Sequence, residues 1–398
     1  MINFSTILCF ILSVDGVRIN YELSLRTEAR VRPTTSLDVD EASRPIAGDA
    51  LLQPSGLLRF DFGRVQLNLS YHPQLIMPEP YARFHLDVQH QADGGLQWRV
   101  VPKLSLRITQ TAAYGASDFR SLNSLLSSQT NRLEPIPLQN HLTYESSYTA
   151  LASDITLTPH LVLNALADYF IFGGVTRQDQ QSLPLQNTPH GEISIRAAVA
   201  PQQHFSQRIA GGESEFTGLQ KTKLYWIQDE ARWEKQFSGN TQLKLSAGVQ
   251  GSSTKNDHLP LHWQVFPSLQ SEFNSSSHTP YGNVSLKLLA QVSPFLDRIV
   301  AVFYERVEAS AILSWEVKRK LNFSLQGFWS VAIFNSVYGG QQLDFGQSTV
   351  TYMFHRNFNL DFGVRSLWER SKGESYRTAW IPQWVGFAAL TVHSEGRF

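Results

Sequence analysis

A regular alternation of apolar and polar residues between positions 309 and 333 constrains the fold of this chain more than any other feature. Apolar residues fall on odd positions both before and after the segment Lys318-Arg319-Lys320. A period of two is typical of a β-strand whose two faces meet different surroundings. The three-residue loop places Val317 opposite Leu321, so the two arms share one continuous apolar face. The segment is therefore predicted to be a β-hairpin.

Both arms of this hairpin are longer than the strands of most soluble sheets, which average about five or six residues. A strand that crosses a membrane needs roughly 9–11 tilted residues, and each arm can supply that length. The predicted hairpin is therefore long enough to cross a bilayer twice, with its apolar face towards lipid and its polar face towards an interior.

The same alternation recurs along the chain, with about eighteen strands in all, an even number as in bacterial barrels. The sequence predicts an all-β fold, a closed antiparallel transmembrane β-barrel of about 16–18 strands, formed as one domain by residues 17–398. Tight turns are predicted at Gly63-Arg64, Asp93-Gly94-Gly95, Thr158-Pro159-His160, Ser238-Gly239-Asn240 and His355-Arg356-Asn357.

The predicted connections alternate between short and long. Long loops are predicted at Val31 to Ser55, which contains three prolines, and at Gln110 to Gln139, which is rich in Ser and Asn. Short turns on one side and longer loops on the other are typical of outer-membrane barrels, whose short turns face the periplasm. The turns at Gly63-Arg64, Lys318 to Lys320 and His355 to Asn357 are thus expected in the periplasm, and the two loops outside.

Composition excludes several other classes of protein. Lys plus Arg equals Asp plus Glu at 34 each, so no basic field points to nucleic acid. The single cysteine, Cys9, excludes a disulfide framework within the chain and a cysteine zinc cluster. The histidines lack the spacing of a metal site, and the chain contains neither a nucleophile elbow nor a phosphate-binding glycine loop. We therefore predict no metal, no cofactor and no enzymatic activity.

The first residues form a short apolar run from Phe4 to Val14. The run is too short for a transmembrane helix but suits the core of a secretory signal, so residues 1–16 are predicted to be a signal peptide. No basic residue precedes the run and no small-residue cleavage site clearly follows it. The alternative is a buried first strand.

Charged and amide side chains recur on the polar face of the predicted strands. In one reading, opposite charges pair across the wall and hold the shape of the barrel. In the other, they line a water-filled path, which a barrel of 16–18 strands is wide enough to contain. The candidate lumen-lining residues are Arg18, Glu22, Arg59, Asp61, Gln66, Asn68, Arg306, Glu308, Asn322, Gln326, Asp361 and Arg365.

Further features resemble those of bacterial outer-membrane porins. Phe398 ends the chain on an aromatic residue, like the terminal signal of outer-membrane proteins, and Trp98, Trp233, Trp315 and Trp368 sit near strand ends, where aromatic girdles lie. With the repeated strand phrase at Val65 to Leu69 and Leu321 to Leu325, the chain resembles more narrowly the stand-alone eighteen-stranded porins of myxobacterial polysaccharide secretion systems.

This resemblance implies partners as well as a function. It implies that a secreted polysaccharide crosses the outer membrane, that a periplasmic polysaccharide export protein delivers it, that outer-membrane lipid surrounds the barrel, and that the barrel assembly machinery reads Phe398. The alternatives are a general solute porin and a structural or adhesion barrel without transport. A wall rich in Gln, Asn and Ser with charges of both signs favours a neutral or mildly charged polymer.

Overall fold

The computed structural model describes residues 18–33, 46–77, 86–117, 142–217, 222–256, 259–297, 302–317, 320–333, 340–372 and 381–397. The predicted signal peptide at 1–16 and the terminal Phe398 lie outside the described residues.

The described chain is almost entirely β-strand, with one short helix, α1, at Arg177–Ser182. The strands are β1 (Arg18–Pro33), β2 (Ile46–Asp61), β3 (Val65–Tyr71), β4 (Gln74–Met77), β5 (Asp87–Val101), β6 (Leu104–Ser117), β7 (Leu142–Thr158), β8 (Leu161–Gly174), β9 (Leu185–Ala200), β10 (Gln203–Thr217), β11 (Thr222–Ser238), β12 (Thr241–Asn256), β13 (Leu259–Thr279), β14 (Gly282–Asp297), β15 (Val302–Val317), β16 (Leu321–Ile333), β17 (Gly340–His355), β18 (Phe358–Lys372) and β19 (Ile381–Arg397).

The sheet closes on itself, because β1 pairs with β19 as well as with β2. All the pairings between neighbours are antiparallel. β3 and β4 lie one after the other between β2 and β5, and so share one position in the wall. The result is a closed antiparallel barrel of 18 strands, which confirms the predicted fold class.

The hairpin at 309–333 has the predicted register. β15 pairs with β16 from Glu305–Ile333 through to Val317–Leu321. Residues 318 and 319 of its turn lie outside the described part of the chain. The predicted strand pairs around Thr158-Pro159-His160, Ser238-Gly239-Asn240 and His355-Arg356-Asn357 are also present, as β7–β8, β11–β12 and β17–β18.

The two faces of the sheet differ in burial in the way that a membrane barrel requires. Residues directly opposite each other on antiparallel strands project to the same face. Leu325 on β16 is 57% exposed, as expected for a side chain that faces lipid, whereas Glu308 on the other face of the hairpin is 2% exposed. We call the face of the sheet that carries Leu325 the lipid face and the face that carries Glu308 the interior face.

The predicted loop from Val31 to Ser55 is wrong. β1 continues to Pro33 and β2 begins at Ile46, so only residues 34–45 lie outside the described strands. Pro54 was interpreted as a loop residue because proline has no backbone N–H to donate to a neighbouring strand. Here it lies opposite the interruption between β3 and β4, where β2 has no registered partner on that side.

The predicted turn at Asp93-Gly94-Gly95 is also wrong. These residues lie within β5 and pair with β3, as Gly94 does with Leu69. The chain turns instead after Val101, and β6 begins at Leu104. The Gln110 loop is likewise shorter than predicted, since β6 continues to Ser117.

Short turns join the strands at one end of the barrel. Longer connections join them at the other end, except that only two residues separate β12, which ends at Asn256, from β13, which begins at Leu259. The short turns follow β2, β5, β7, β9, β11, β13, β15 and β17, and the ends of β1 and β19 nearest the chain termini lie beside them, since Arg18 pairs with Asp61. We call this end of the barrel the turn end and the opposite end the loop end. α1 follows β8 and therefore belongs to the loop end.

Candidate functional site

The exposure of interior side chains changes along β1, and this change separates the interior of the barrel into two regions. Near the turn end, Arg18 and Glu22 are exposed, whereas Glu28, Arg30 and Arg32, further along the same face, are no more than 4% exposed. We call the two regions the turn half and the loop half.

The turn half contains seven of the twelve predicted lumen residues. Arg18 pairs with Asp61 and Asp61 with Gln66, while Arg59 pairs with Asn68, so these residues share one face on β1, β2 and β3. Asn322 lies opposite Glu316 and Thr351 on the hairpin of β15 and β16 and its neighbour β17. All of these candidates are exposed or half-buried. The members of this group are Arg18, Glu22, Arg59, Asp61, Gln66, Asn68 and Asn322.

The mouth of the turn half is a polar hollow of about 390 Å³ lined by residues that include Glu22, Arg59, Arg356 and Glu395. Glu22 and Glu395 lie directly opposite each other on β1 and β19. An Arg356 Nη2 donates to Glu395 Oε1 at 3.2 Å, and both side chains are well exposed. Solvent therefore reaches the charges at this mouth.

Gln326 lies between the two halves, half-buried, with Ile312 and Gln347 as its neighbours on β15 and β17. Ile312, which breaks the apolar alternation of the hairpin, thus projects to the interior face. The remaining four candidates, Arg306, Glu308, Asp361 and Arg365, are all at most 8% exposed.

A buried charge cluster links β1 to β18 in the loop half. Glu28 accepts from Arg30 Nε at 2.6 Å and from Arg26 Nη2 at 2.9 Å, and Arg365 Nη1 lies 3.7 Å from Glu28. Arg26 also pairs with Asp361. The cluster brings together Asp361 and Arg365, two of the twelve predicted residues, with Arg26, Glu28 and Arg30. Three guanidinium groups therefore share two carboxylates.

A second buried pair occupies β15. Arg306 Nη2 lies 2.5 Å from Glu308 Oε1, and Gln291 on β14 donates its amide to Glu308. The Arg306 guanidinium stacks 4.5 Å above the ring of Phe295. Both candidates are therefore held by neighbours on the wall.

A third set of charges covers the interior of β9, β10 and β11. Arg208 pairs with Glu192 at 2.8 Å and Arg196 with Glu234 at 2.8 Å, while Glu230 accepts from Arg232 at 3.1 Å. Two adjoining polar hollows of about 240 and 200 Å³ lie over these residues. They were not among the predicted residues, although the alternation of β10 and β11 places them on the polar face.

An apolar cluster crosses the interior of the loop half. It groups Leu183, just after α1, with Tyr144 on β7 and with residues of β17, β18 and β19, which are distant from β7 in the strand order. We call this cluster the apolar bridge; its buried members are Tyr144, Leu183, Leu343, Phe345, Leu367 and Val385. The bridge therefore includes residues of two walls and the residue that follows α1.

Two glycines allow α1 to fold back against β8. A Cβ atom on Gly173 would lie 2.4 Å from the Cα of Leu185, and one on Gly174 would lie 2.5 Å from the carbonyl carbon of Asp179. Thr176 caps the helix: its hydroxyl accepts from the Asp179 backbone N–H at 3.2 Å, and the Asp179 carboxylate accepts from Thr176. The Thr-x-x-Asp pattern is the one sequence signal that could have indicated this helix.

Within the described ranges, no group of three or more His, Cys, Asp or Glu side chains is placed to hold a metal ion. Among these residues no helix has the length and apolar character to span a membrane.

Comparison with known families decides the identity of this barrel. The model of the EpsX exopolysaccharide export family matches residues 11–396. The chain belongs to this family. The EpsX match and the 18-stranded barrel together identify a porin of the bacterial outer membrane that functions in exopolysaccharide export. A search of the curated proteins finds no match.

Solved outer-membrane barrels share the fold of this EpsX-family chain. It resembles the FrpB iron transporter of Neisseria meningitidis in its apoprotein form (TM-score 0.54, 7% identity, 97% of this chain and 82% of that one). It also resembles the outer membrane protein OpdK of Pseudomonas aeruginosa (TM-score 0.50, 10% identity, 95% and 99%). The copper transporter OprC matches with a TM-score of 0.50 and 8% identity over 89% of this chain, which spans only 62% of OprC. At these identities the likeness shows the fold alone.

Proposed function

We propose that the exported polysaccharide passes through the interior of the barrel, entering at the turn end from the periplasm and leaving at the loop end. The open, polar turn half is the observation that carries this proposal. Its candidates reach solvent on a face from which apolar side chains are largely absent on β1, β2 and β3. The orientation follows the general rule that short turns of outer-membrane barrels face the periplasm.

The wall of the turn half suits a sliding sugar polymer. Gln66, Asn68, Asn322 and Gln326 offer amide donors and acceptors, which exchange easily with the hydroxyl groups of a polysaccharide. The charges of the ion pair Arg356–Glu395 neutralise each other at the mouth, so no single charge sign forms a deep trap there. A pore selective for small ions would instead concentrate one sign of charge at a constriction.

The apolar bridge is the closed point of this path. An 18-stranded barrel encloses a lumen wide enough for an aqueous channel unless a segment plugs it, and Leu183 belongs to the apolar cluster that includes residues of both walls of the loop half. We propose that α1 and Leu183 move aside when polymer arrives. The bridge keeps small solutes from crossing when no polymer is present.

The proposed partners follow from this direction of transport. A periplasmic polysaccharide export protein would deliver polymer to the mouth around Glu22 and Arg356, and the barrel assembly machinery would read Phe398. The barrel acts as a conduit without catalysing a reaction. Outer-membrane lipid surrounds the exposed apolar face.

The first experiment separates the conduit from an indirect role. Deleting the gene should abolish the surface polysaccharide while its synthesis in the cytoplasm continues. Gln326→Trp should slow export because it narrows the path, whereas the neighbouring Leu325→Trp projects to lipid and should leave export unchanged. Both variants should still give a folded, heat-modifiable barrel on gels. Equal export defects in the two variants, or normal surface polymer in the deletion strain, would contradict the proposal.

The second experiment addresses the bridge. Leu183→Ser replaces a buried apolar member of the bridge with a polar one, so it should raise the uptake of a small hydrophilic dye into the periplasm. Val31→Ser, a polar substitution on the lipid face near the same end of the barrel, is the control and should leave dye uptake at the wild-type rate. Unchanged uptake in Leu183→Ser would show that the bridge does not close the path.

A further inference from the structure

One carboxylate lies on the lipid face near the middle of a strand. Asp229 is about midway along β11, and its direct neighbours on that face are Ile209 and Val249, which are 55% and 53% exposed. Tyr225 and Trp233 precede and follow it on the same face. With a rise of about 3.3 Å per residue and a tilt near 40°, each aromatic ring is roughly 10 Å from the level of Asp229. Asp229 is therefore at the depth of the bilayer core.

This position is unusual within the described strands. The other charged residues that share the lipid face lie towards strand ends, as Lys223 and Lys235 do on β11 itself. A long side chain near a strand end can extend its charge to the interface. The short side chain of an aspartate at mid-depth cannot reach the interface. An ionisable group at this depth therefore needs a polar partner within the membrane.

The nearest partner of Asp229 leaves hydrogen-bonding capacity unused. Gln207 on β10 donates its amide to Asp229. A primary amide has two N–H donors and a carboxylate can accept about four hydrogen bonds, so the pair can still donate and still accept. An acyl chain can do neither. A surface that carries a hydrogen-bond donor and a hydrogen-bond acceptor side by side is complementary to a copy of itself.

The shape of the surrounding surface is also self-complementary. A groove of about 450 Å³ lies beside the pair, with Gly191 and Gly211 directly opposite each other in its floor and Ile193 and Ile209 among its walls. Ile227, 55% exposed, stands next to Gly211 in the register. A projecting side chain therefore adjoins a hollow in which glycines permit close approach.

We propose that a second copy of this chain binds to this face, forming a dimer with a twofold axis along the membrane normal. Both copies insert in the same direction, so Asp229 of each lies at the same depth. Gln207 of each copy donates to Asp229 of the other, and Ile227 of each enters the groove of the other. A twofold contact of this kind uses the same patch on both subunits.

Cross-linking in native outer membranes tests the proposal. In a Cys9→Ser background, which removes the single cysteine, Ile227→Cys should form a band of twice the chain mass with a short membrane-permeant bismaleimide. Leu325→Cys on β16 is the matched control, since Leu325 and Ile227 are 57% and 55% exposed, and should stay monomeric. Absence of the dimer band from Ile227→Cys, or an adduct with a different protein, would overturn the proposal.

A second substitution tests the polar pair itself. Asp229→Leu, added to Ile227→Cys, should reduce the cross-linked fraction about tenfold, because the variant loses both of the symmetry-related hydrogen bonds between the two copies. The barrel should remain folded, because an apolar side chain suits lipid at this depth better than a carboxylate. An undiminished dimer band in this variant would overturn the proposal. Neither readout depends on polysaccharide, so both stand apart from the test of export.

Discussion

The turn half and the loop half of the interior carry the same kinds of residue in opposite environments. Arg18 and Glu22 lie on the same strand and face as Glu28 and Arg30, yet the first two are exposed and the last two almost fully buried. In the loop half, Arg365 from β18 approaches Glu28, and the apolar bridge packs beside it through Val385, which lies directly opposite Arg365. The position of a polar residue along the barrel axis therefore decides its environment.

This difference separates charges that hold the wall from charges that line a path. An exposed ion pair contributes about 0–1 kcal/mol, because water screens it and the side chains lose entropy. Removing one partner of a buried pair costs about 3–5 kcal/mol, because the remaining charge is left without compensation. We therefore assign the loop-half charges to the structure of the barrel and the turn-half charges to contact with solvent and polymer.

Glu28→Gln should have the largest effect on stability. It leaves the guanidinium groups of Arg30 and Arg365 buried without their shared carboxylate, so the free energy of unfolding should fall by about 3–5 kcal/mol. Glu22→Gln, on the same face in the turn half, should change it by less than about 1 kcal/mol. Urea unfolding in lipid vesicles measures both. Similar losses in the two variants would remove the distinction between the halves.

A smaller effect tests whether the interior face has been assigned correctly. Leu325→Arg places a charge on the lipid face near mid-strand and should cost about 2–4 kcal/mol. Gln326→Arg, one residue later, projects to the interior and should leave assembly nearly intact. The yield of heat-modifiable barrel compares the two. Equal damage would mean that the register is shifted by one residue, since such a shift exchanges the faces.

The sequence predicted the faces better than it predicted the two halves. Alternation is a local property, so the register from Val317 to Leu321 and the interior position of Asn322 could be read directly. Pro54 was misread as a loop signal because it lies opposite the β3–β4 interruption, which only the pairing of distant strands reveals. Gly94 was misread because Asp-Gly-Gly is a turn signal in sequence, although here it pairs with β3 inside a continuous strand.

Burial in the loop half could not be predicted for a related reason. It depends on contacts between distant strands, such as Glu28 with Arg365, and on Leu183, which follows a six-residue helix held by one capping box. Alternation along one strand carries no information about what lies across the lumen. The charges on β9, β10 and β11 are different: they follow the same period-two pattern and could have been predicted from it.

Weakening α1 tests how the loop half is closed. Thr176→Ala removes the hydroxyl that caps the helix and should destabilise α1 by about 1 kcal/mol. The barrel should unfold at an unchanged urea concentration, while dye uptake into the periplasm should rise modestly as the bridge loosens. Gln178→Ala, an exposed change within α1 that leaves the cap intact, is the control. Equal dye uptake in the two variants would show that the cap does not contribute to closure.

The smallest effect is expected at the mouth of the turn half, where salt provides the decisive test. Arg356→Ala removes the partner of Glu395 and leaves that carboxylate facing Glu22, but the pair is exposed, so the loss of unfolding free energy should be below about 1 kcal/mol. It should shrink further between 0.1 M and 1 M salt, because the Debye length falls from about 10 Å to about 3 Å. The loss caused by Glu28→Gln should persist at 1 M salt, because buried charges are screened much less. Equal salt sensitivity of the two losses would mean that water reaches both halves alike.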